Sequence, residues 1–322
     1  MKPSQKQLNW IGSVASVALG MSLIATAPAL RASENVPHAP FAQWANVPDP
    51  GQLVVGVAYQ ESEAYHIWAK NSYQNVTTPA NGERYGIDTT QGYITLQYGI
   101  TKQWAADLAV GYTTLGWRYF NDNANSNPNQ SARSTSGLMD TSLGIRYQVC
   151  QESKDQSPWL PTLTLRAGGV LPGTYSQGFP FSPGVRSAAV EPEVLVRKHF
   201  GWTGLGAYGD ALFRWNRTTA NDQYLVSAGL FQEIKGWEIQ AGYRHLGSTS
   251  GEDITLNGRV ITYPVSVREN SDAIEAGFNY TTSKRKWQYG FYTRSVLDGA
   301  NSDGKFWFGG YINIPIQLLT GK

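Results

Sequence analysis

The residues able to do chemistry in this 322-residue chain are few and widely spaced. His38, His66, His199 and His245 fall in different parts of the sequence. No His, Cys, Asp or Glu group has metal-ligand spacing, so no metal or cofactor is expected. The Asn-rich stretch 120–129 holds one Asp and lacks the regular oxygen-ligand spacing of a calcium loop. One run invites a test for a nucleophile: Tyr243-Arg244-His245-Leu246-Gly247-Ser248-Thr249-Ser250. Some membrane lipid hydrolases place a Ser two residues after a lipid-facing His, so that both lie on one strand face and the imidazole can activate the hydroxyl. Here Gly247 holds that position and Ser248 would point the other way, so no catalytic residue is assigned.

A second set of charged residues recurs with period two. In 104–112, Trp104, Ala106, Leu108, Val110 and Tyr112 share one parity and Asp107 sits on the other. The split repeats as Leu143, Ile145, Tyr147, Val149 against Arg146, and as Leu163, Leu165, Ala167 against Arg166. It continues as Val190, Pro192, Val194, Val196 against Glu191, Glu193, Arg197, then Trp237, Ile239, Ala241, Tyr243 against Glu238 and Arg244, and Ile274, Ala276, Phe278, Tyr280 against Glu275. Successive strand side chains face opposite sides, so each segment has an apolar face and a polar one.

These residues need strands to position them, and twelve are expected, at about 52–68, 91–99, 104–117, 138–150, 159–171, 187–198, 204–215, 223–232, 237–246, 271–280, 287–296 and 306–317. Short links near 100–103, 151–158, 199–203, 233–236 and 281–286 alternate with mostly long, polar ones. Strands of about ten residues with short turns on one side and long loops on the other define a transmembrane antiparallel up-and-down β-barrel. Trp104, Trp159, Trp202, Trp237 and Trp287 each follow one of the five short turns, as a periplasmic membrane girdle would require; Trp68, Trp117 and Trp215 suit the outer one.

Composition agrees once parity is considered. The chain is 41% hydrophobic and 16% charged, with a mean hydropathy of −0.35, too polar for a bundle of apolar helices. A barrel needs only every second strand residue to be apolar. Residues 1–32 read as a cleaved signal peptide, with Lys2 and Lys6, an apolar run from Trp10 to Ala27, and small residues at Ala27, Ala29 and Ala32. Its removal leaves 23 bases and 24 acids, a balance that gives no basic surface for nucleic acid. Cys150, alone, makes no internal disulfide. Residues 33–51, with Pro37, Pro40, Pro48 and Pro50, read as a periplasmic N-terminal arm, with a lumen plug as the alternative, and 52–322 as the barrel.

With the apolar parity outward, the lumen carries Asp107, Arg146, Arg166, Glu191, Glu193, Arg197, Asp210, Arg214, Glu238, Arg244, Glu275 and Arg294. Two readings follow: a polar conduit whose charges orient a solute, or a salt-bridge network that narrows and stabilises the barrel. Tyr175, Phe179 and Phe181 on the loop 172–186 form a constriction or pack on the rim. Asn257-Gly258, within 254–262, reads as a hairpin turn.

Several stretches resemble the outer-membrane family named for the MetA-pathway of phenol degradation. They are Tyr98-Gly99-Ile100-Thr101 before a turn, the strand from Pro161 closing in Leu171-Pro172-Gly173, and Gly242-Tyr243-Arg244 running into Leu246-Gly247. The resemblance touches most of the barrel through loose motifs. It implies passage of small, often hydrophobic or aromatic, compounds across the outer membrane, and it brings no catalytic residues. The ending Leu318-Leu319-Thr320-Gly321-Lys322 departs from the terminal aromatic usual in such barrels. The expected function is a passive channel in the outer membrane of a Gram-negative bacterium. Expected partners are the lipid bilayer and lipopolysaccharide, a small solute and the barrel-assembly machinery, with the chain monomeric. The alternatives are a lipid hydrolase (phospholipase or lipid A deacylase type) and a structural or adhesive barrel acting through its loops.

Overall fold

The structure, a computed structural model, describes residues 44–75, 85–119, 134–153, 159–175, 184, 186–201, 203–217, 220–257, 260–262 and 267–318. The signal peptide, Trp202, Phe179 and Phe181 lie outside the described residues. The strands are β1 (Gln52–Ala69), β2 (Ser72–Asn75), β3 (Tyr85–Gly99), β4 (Trp104–Tyr119), β5 (Ser134–Leu138), β6 (Thr141–Cys150), β7 (Thr162–Leu171), β8 (Ala189–His199), β9 (Leu205–Asn216), β10 (Gln223–Ile234), β11 (Trp237–Ser248), β12 (Thr255–Asn257), β13 (Val260–Thr262), β14 (Asn270–Thr281), β15 (Gln288–Ala300) and β16 (Asp303–Gln317).

Twelve of these form a closed wall in the order β1-β3-β4-β6-β7-β8-β9-β10-β11-β14-β15-β16, and β16 pairs back to β1 from Gln52↔Gln317 to Ile67↔Asp303. Every neighbouring pair is antiparallel, as the expected meander requires. The polarity is inverted relative to a soluble core: Leu230 on the outer face is 55% exposed, whereas Glu238 on the inner face is 2% exposed. Val57, Ile94, Ile145, Leu165, Ile239, Phe278 and Phe308 continue the exposed apolar band. Only a lipid exterior makes such an arrangement favourable.

Trp104, Trp159 and Trp237 are exposed at the short-turn end, and Trp287 is half-buried there with the Arg285 guanidinium 5.2 Å from its ring centre. Trp215 is exposed at the opposite end, as expected. Trp68 is not part of that outer girdle; it is buried. The β1–β16 register slips between Ala64 and Ile67, and one extra residue turns every later side chain of β1 to the other face.

The strand expected at 138–150 is divided at Met139–Asp140. β5 pairs only with the outer part of β4, and β6 pairs with its inner part. β3 begins at Tyr85, six residues before the expected strand start, because Tyr85–Thr90 find partners in Thr114–Tyr119 although their own pattern does not alternate. Pro192 sits inside β8, where it has no N–H to give, and pairing with β9 is interrupted at Glu191 and Pro192. β12 and β13 form the hairpin expected above the wall.

Candidate functional site

The charged residues assigned to the lumen by parity lie inside the barrel. Across β4, β6, β7, β8 and β9 they join into one chain of ion pairs. Arg166 is 2.8 Å from Asp107, 3.4 Å from Glu193 and 3.5 Å from Glu191; Arg214 is 2.6 Å from Glu191, and Arg146 is 3.5 Å from Asp107. Their signs cancel, which is how side chains with almost no access to water keep their charge. A second group joins Arg197 to Glu233 and, at 3.1 Å, to Glu238, which also accepts a hydrogen bond from Asn279. Glu275 and Arg294 pair at 3.3 Å. Asp210 and Arg244 do not join these groups by a printed contact of their own, but both stand opposite Ser227, one from each side of β10.

Parity found these residues but missed several that complete the site. Glu233 shares the inward parity of β10 but falls in what reads as a turn in the sequence. Asp140, at the break between β5 and β6, faces inward and accepts the N–H groups of Gly173 (2.8 Å) and Arg186 (3.0 Å). Above it, Tyr175 is fully buried; its hydroxyl is 3.1 Å from both Asp140 oxygens and accepts the Arg186 N–H at 2.7 Å. Gly184 makes that seat possible, since a Cβ there would meet the Tyr175 hydroxyl at 1.9 Å.

Nothing in the sequence pattern places Trp44–Asn46 where they lie. The Arg146 guanidinium, wholly buried, donates to the carbonyls of Trp44 (2.9 Å) and Asn46 (3.1 Å) and sits 4.4 Å from the centre of the Trp44 ring. Thr164 donates to the Ala45 carbonyl at 2.5 Å and Gln148 at 3.4 Å, and Leu195 packs on Trp44 and Ala45. Farther along, the Pro48 and Asp49 carbonyls pass so close to Gly99 that a Cβ there would meet them at 2.4 and 2.1 Å.

Asn46 also lines a polar cavity of about 610 Å³ at the short-turn end, with Glu152, Arg197, His199, Glu233 and Lys235 among its walls. Glu152 accepts from Lys198 (2.7 Å) and from the His199 backbone N–H (3.0 Å), and the His199 ring lies between Glu152 (2.8 Å) and Glu233 (3.3 Å). Burial alone would raise the Glu152 carboxyl, but the hydrogen bonds from Lys198 and His199 outweigh it and hold its pKa below the ordinary value. At the other end of the inner wall, Leu212, Leu225 and Leu246 stand side by side as an apolar patch.

His245 faces outward. Its Nδ1 is 2.7 Å from Asp272 and its Nε2 is 3.3 Å from the Tyr224 hydroxyl. Ser248 lies on the inner side, its hydroxyl accepting the Glu269 N–H at 3.2 Å, so the His–Ser pair of the hydrolase reading is not assembled. Among the described residues no group of three or more His, Cys, Asp or Glu is placed to hold a metal ion.

A closed meander with lipid outside and charge inside is an integral outer-membrane β-barrel. Its sequence matches the family named for the MetA-pathway of phenol degradation over residues 52–302, nearly the whole wall, and the chain belongs to that family. Among solved structures, the chain is similar to the COG4313 outer membrane channel from Pseudomonas putida F1, with a TM-score of 0.59 and 13% identity over 88% of this chain and 100% of that one. A looser similarity links it to the translocator domain of the autotransporter NalP from Neisseria meningitidis, with a TM-score of 0.45 and 12% identity over 96% and 95% of the two chains. No curated protein sequence matches the chain.

Proposed function

We propose that this barrel is a passive channel that lets a small solute cross the outer membrane. The observation that carries the reading is the inner wall: it is polar and charged at mid-height and opens at the periplasmic end into the 610 Å³ cavity. A structural barrel gains little from such a cavity, whereas a conduit needs a hydrated exit. The apolar patch of Leu212, Leu225 and Leu246 and the inward Tyr175 favour a solute with a hydrophobic or aromatic part. That solute class is also the one implied by the family resemblance. The lumen charges orient the solute, and Tyr175 with Phe179 and Phe181 constricts its path.

The barrel works as a monomer, its outer rim meets lipopolysaccharide, and the barrel-assembly machinery inserts it. The arrangement supports no chemical step, in line with a transport role. The crossed ion pairs, which fill the wall's centre, favour a second reading: a sealed structural barrel acting through its loops. Planar-bilayer recording and liposome flux of the purified protein separate the two. Conductance with solute-dependent flux is expected; a silent bilayer together with solute-tight liposomes refutes the channel.

A further inference from the structure

The contacts of Trp44–Asn46 carry more than a location. Three successive carbonyls, of Trp44, Ala45 and Asn46, each accept from a side chain of the inner wall. Arg146 sends one of its nitrogens to the segment even though Asp107 lies within reach. Backbone carbonyls are the same in any sequence, so these bonds hold a strand of chain without asking which residues it contains. The specific element is the Trp44 indole, stacked on the guanidinium and packed on Leu195. A flat, delocalised cation beside an aliphatic side chain is a seat for a planar aromatic ring, and attraction between cation and ring face is what fixes it there.

Resting on the channel reading, we infer that residues 44–51 are a stopper in the periplasmic mouth, and that the place under Trp44 is a subsite for a planar aromatic ring. The protein fills this subsite with its own indole until a solute displaces it. Gly99 pins the segment at Pro48–Asp49, so Trp44 leaves by pivoting about that point while the chain stays tethered to β1. The solute that opens the exit is then the one whose ring competes for Arg146.

A thiol reporter tests this without relying on ion flow. Thr164 is fully buried beneath Ala45. Thr164→Cys in a Cys150→Ser background is treated with a small charged methanethiosulfonate, and retained heat-modifiable gel mobility confirms a folded barrel. Labelling is expected to be slow in this parent, roughly tenfold faster with Trp44→Ala and close to the parent rate with Trp44→Phe. Millimolar indole is expected to slow the Trp44→Ala protein again, whereas cyclohexanol does not. Where Trp44→Ala fails to fold, Trp44→Leu keeps the apolar bulk without the ring and is expected to label as fast. Equal labelling of the parent and the ring-less variant overturns the stopper. Failure of indole to protect, or equal protection by cyclohexanol, overturns the aromatic subsite. A silent bilayer with the expected labelling would refute the channel alone.

Discussion

Arg166 is the hub of the mid-barrel ion pairs, and its removal is the sharpest test of how the lumen is held. Arg166→Met keeps much of the side-chain bulk but strips Asp107, Glu191 and Glu193 of their shared cation, which approaches all three within 3.5 Å. Breaking a buried pair from one side costs about 3–5 kcal/mol, because a carboxylate is left without compensation in a place water does not reach. At about 1.4 kcal/mol per decade, that is two to three and a half decades in the folding equilibrium. Glu191 retains Arg214 at 2.6 Å, which places the expected loss toward the lower end. Adding Asp107→Asn removes one of the stranded charges, so the double variant is expected to be more stable than the sum of the two single losses by at least about 1.5 kcal/mol. Urea unfolding in lipid vesicles, followed by tryptophan fluorescence, gives all four corners of the cycle. An Arg166→Met loss below about 1 kcal/mol, or single losses that simply add, refutes the view that these charges hold one another.

Three further outcomes are expected. Leu230→Arg puts a cation on the lipid face and is expected to cost about 2–4 kcal/mol of folding into vesicles, while the same protein in a short-chain detergent is affected less; an equal cost in both argues against a bilayer exterior. Gly99→Val drives a side chain into the Pro48 and Asp49 carbonyls, so limited proteolysis is expected to cleave before Gln52 while the barrel resists. The lowered Glu152 pKa means that its stabilising effect is present above the ordinary carboxyl value, near 4.5, and is lost as pH falls through the lowered folded value. Hydrogen exchange at the His199 N–H is therefore expected to stay protected at pH 5 and to accelerate only under stronger acid.

Much of the wall is legible in the sequence because a membrane barrel writes its two faces in alternate residues. Arg166 and Glu193 could be paired from parity alone, and the structure brings them together. Parity fails where one residue is inserted: Trp68 has the composition and position of a girdle residue, but the slip after Ala64 turns it inward. Parity also says nothing about chain that is not a strand. The seat of Trp44 depends on a fully buried arginine some hundred residues away, and its partners are carbonyls that carry no sequence signal. Tyr175 was visible as an aromatic on a long loop, whereas its anchor, Asp140, lay hidden in a break that the alternation does not mark.

The seam between β1 and β16 has a consequence for the order of events in assembly. Gln317 donates to the Pro50 carbonyl at 3.1 Å across 267 residues of chain, and Leu318 donates to the Gly51 carbonyl at 2.9 Å. Bringing ends so distant together costs roughly 5 kcal/mol of loop entropy if the intervening chain is unstructured, and far less once the ten strands between them already form a curved sheet. The last strand made during synthesis is the one that shuts the ring. Until it arrives, β1 and the segment leading into it border an open edge, so Trp44 can swing into its place beside Arg146 from the side. Once the seam has zipped, the only way in is end-on through the mouth, and a chain whose seam closes too early would be trapped with its own beginning on the wrong side of the wall.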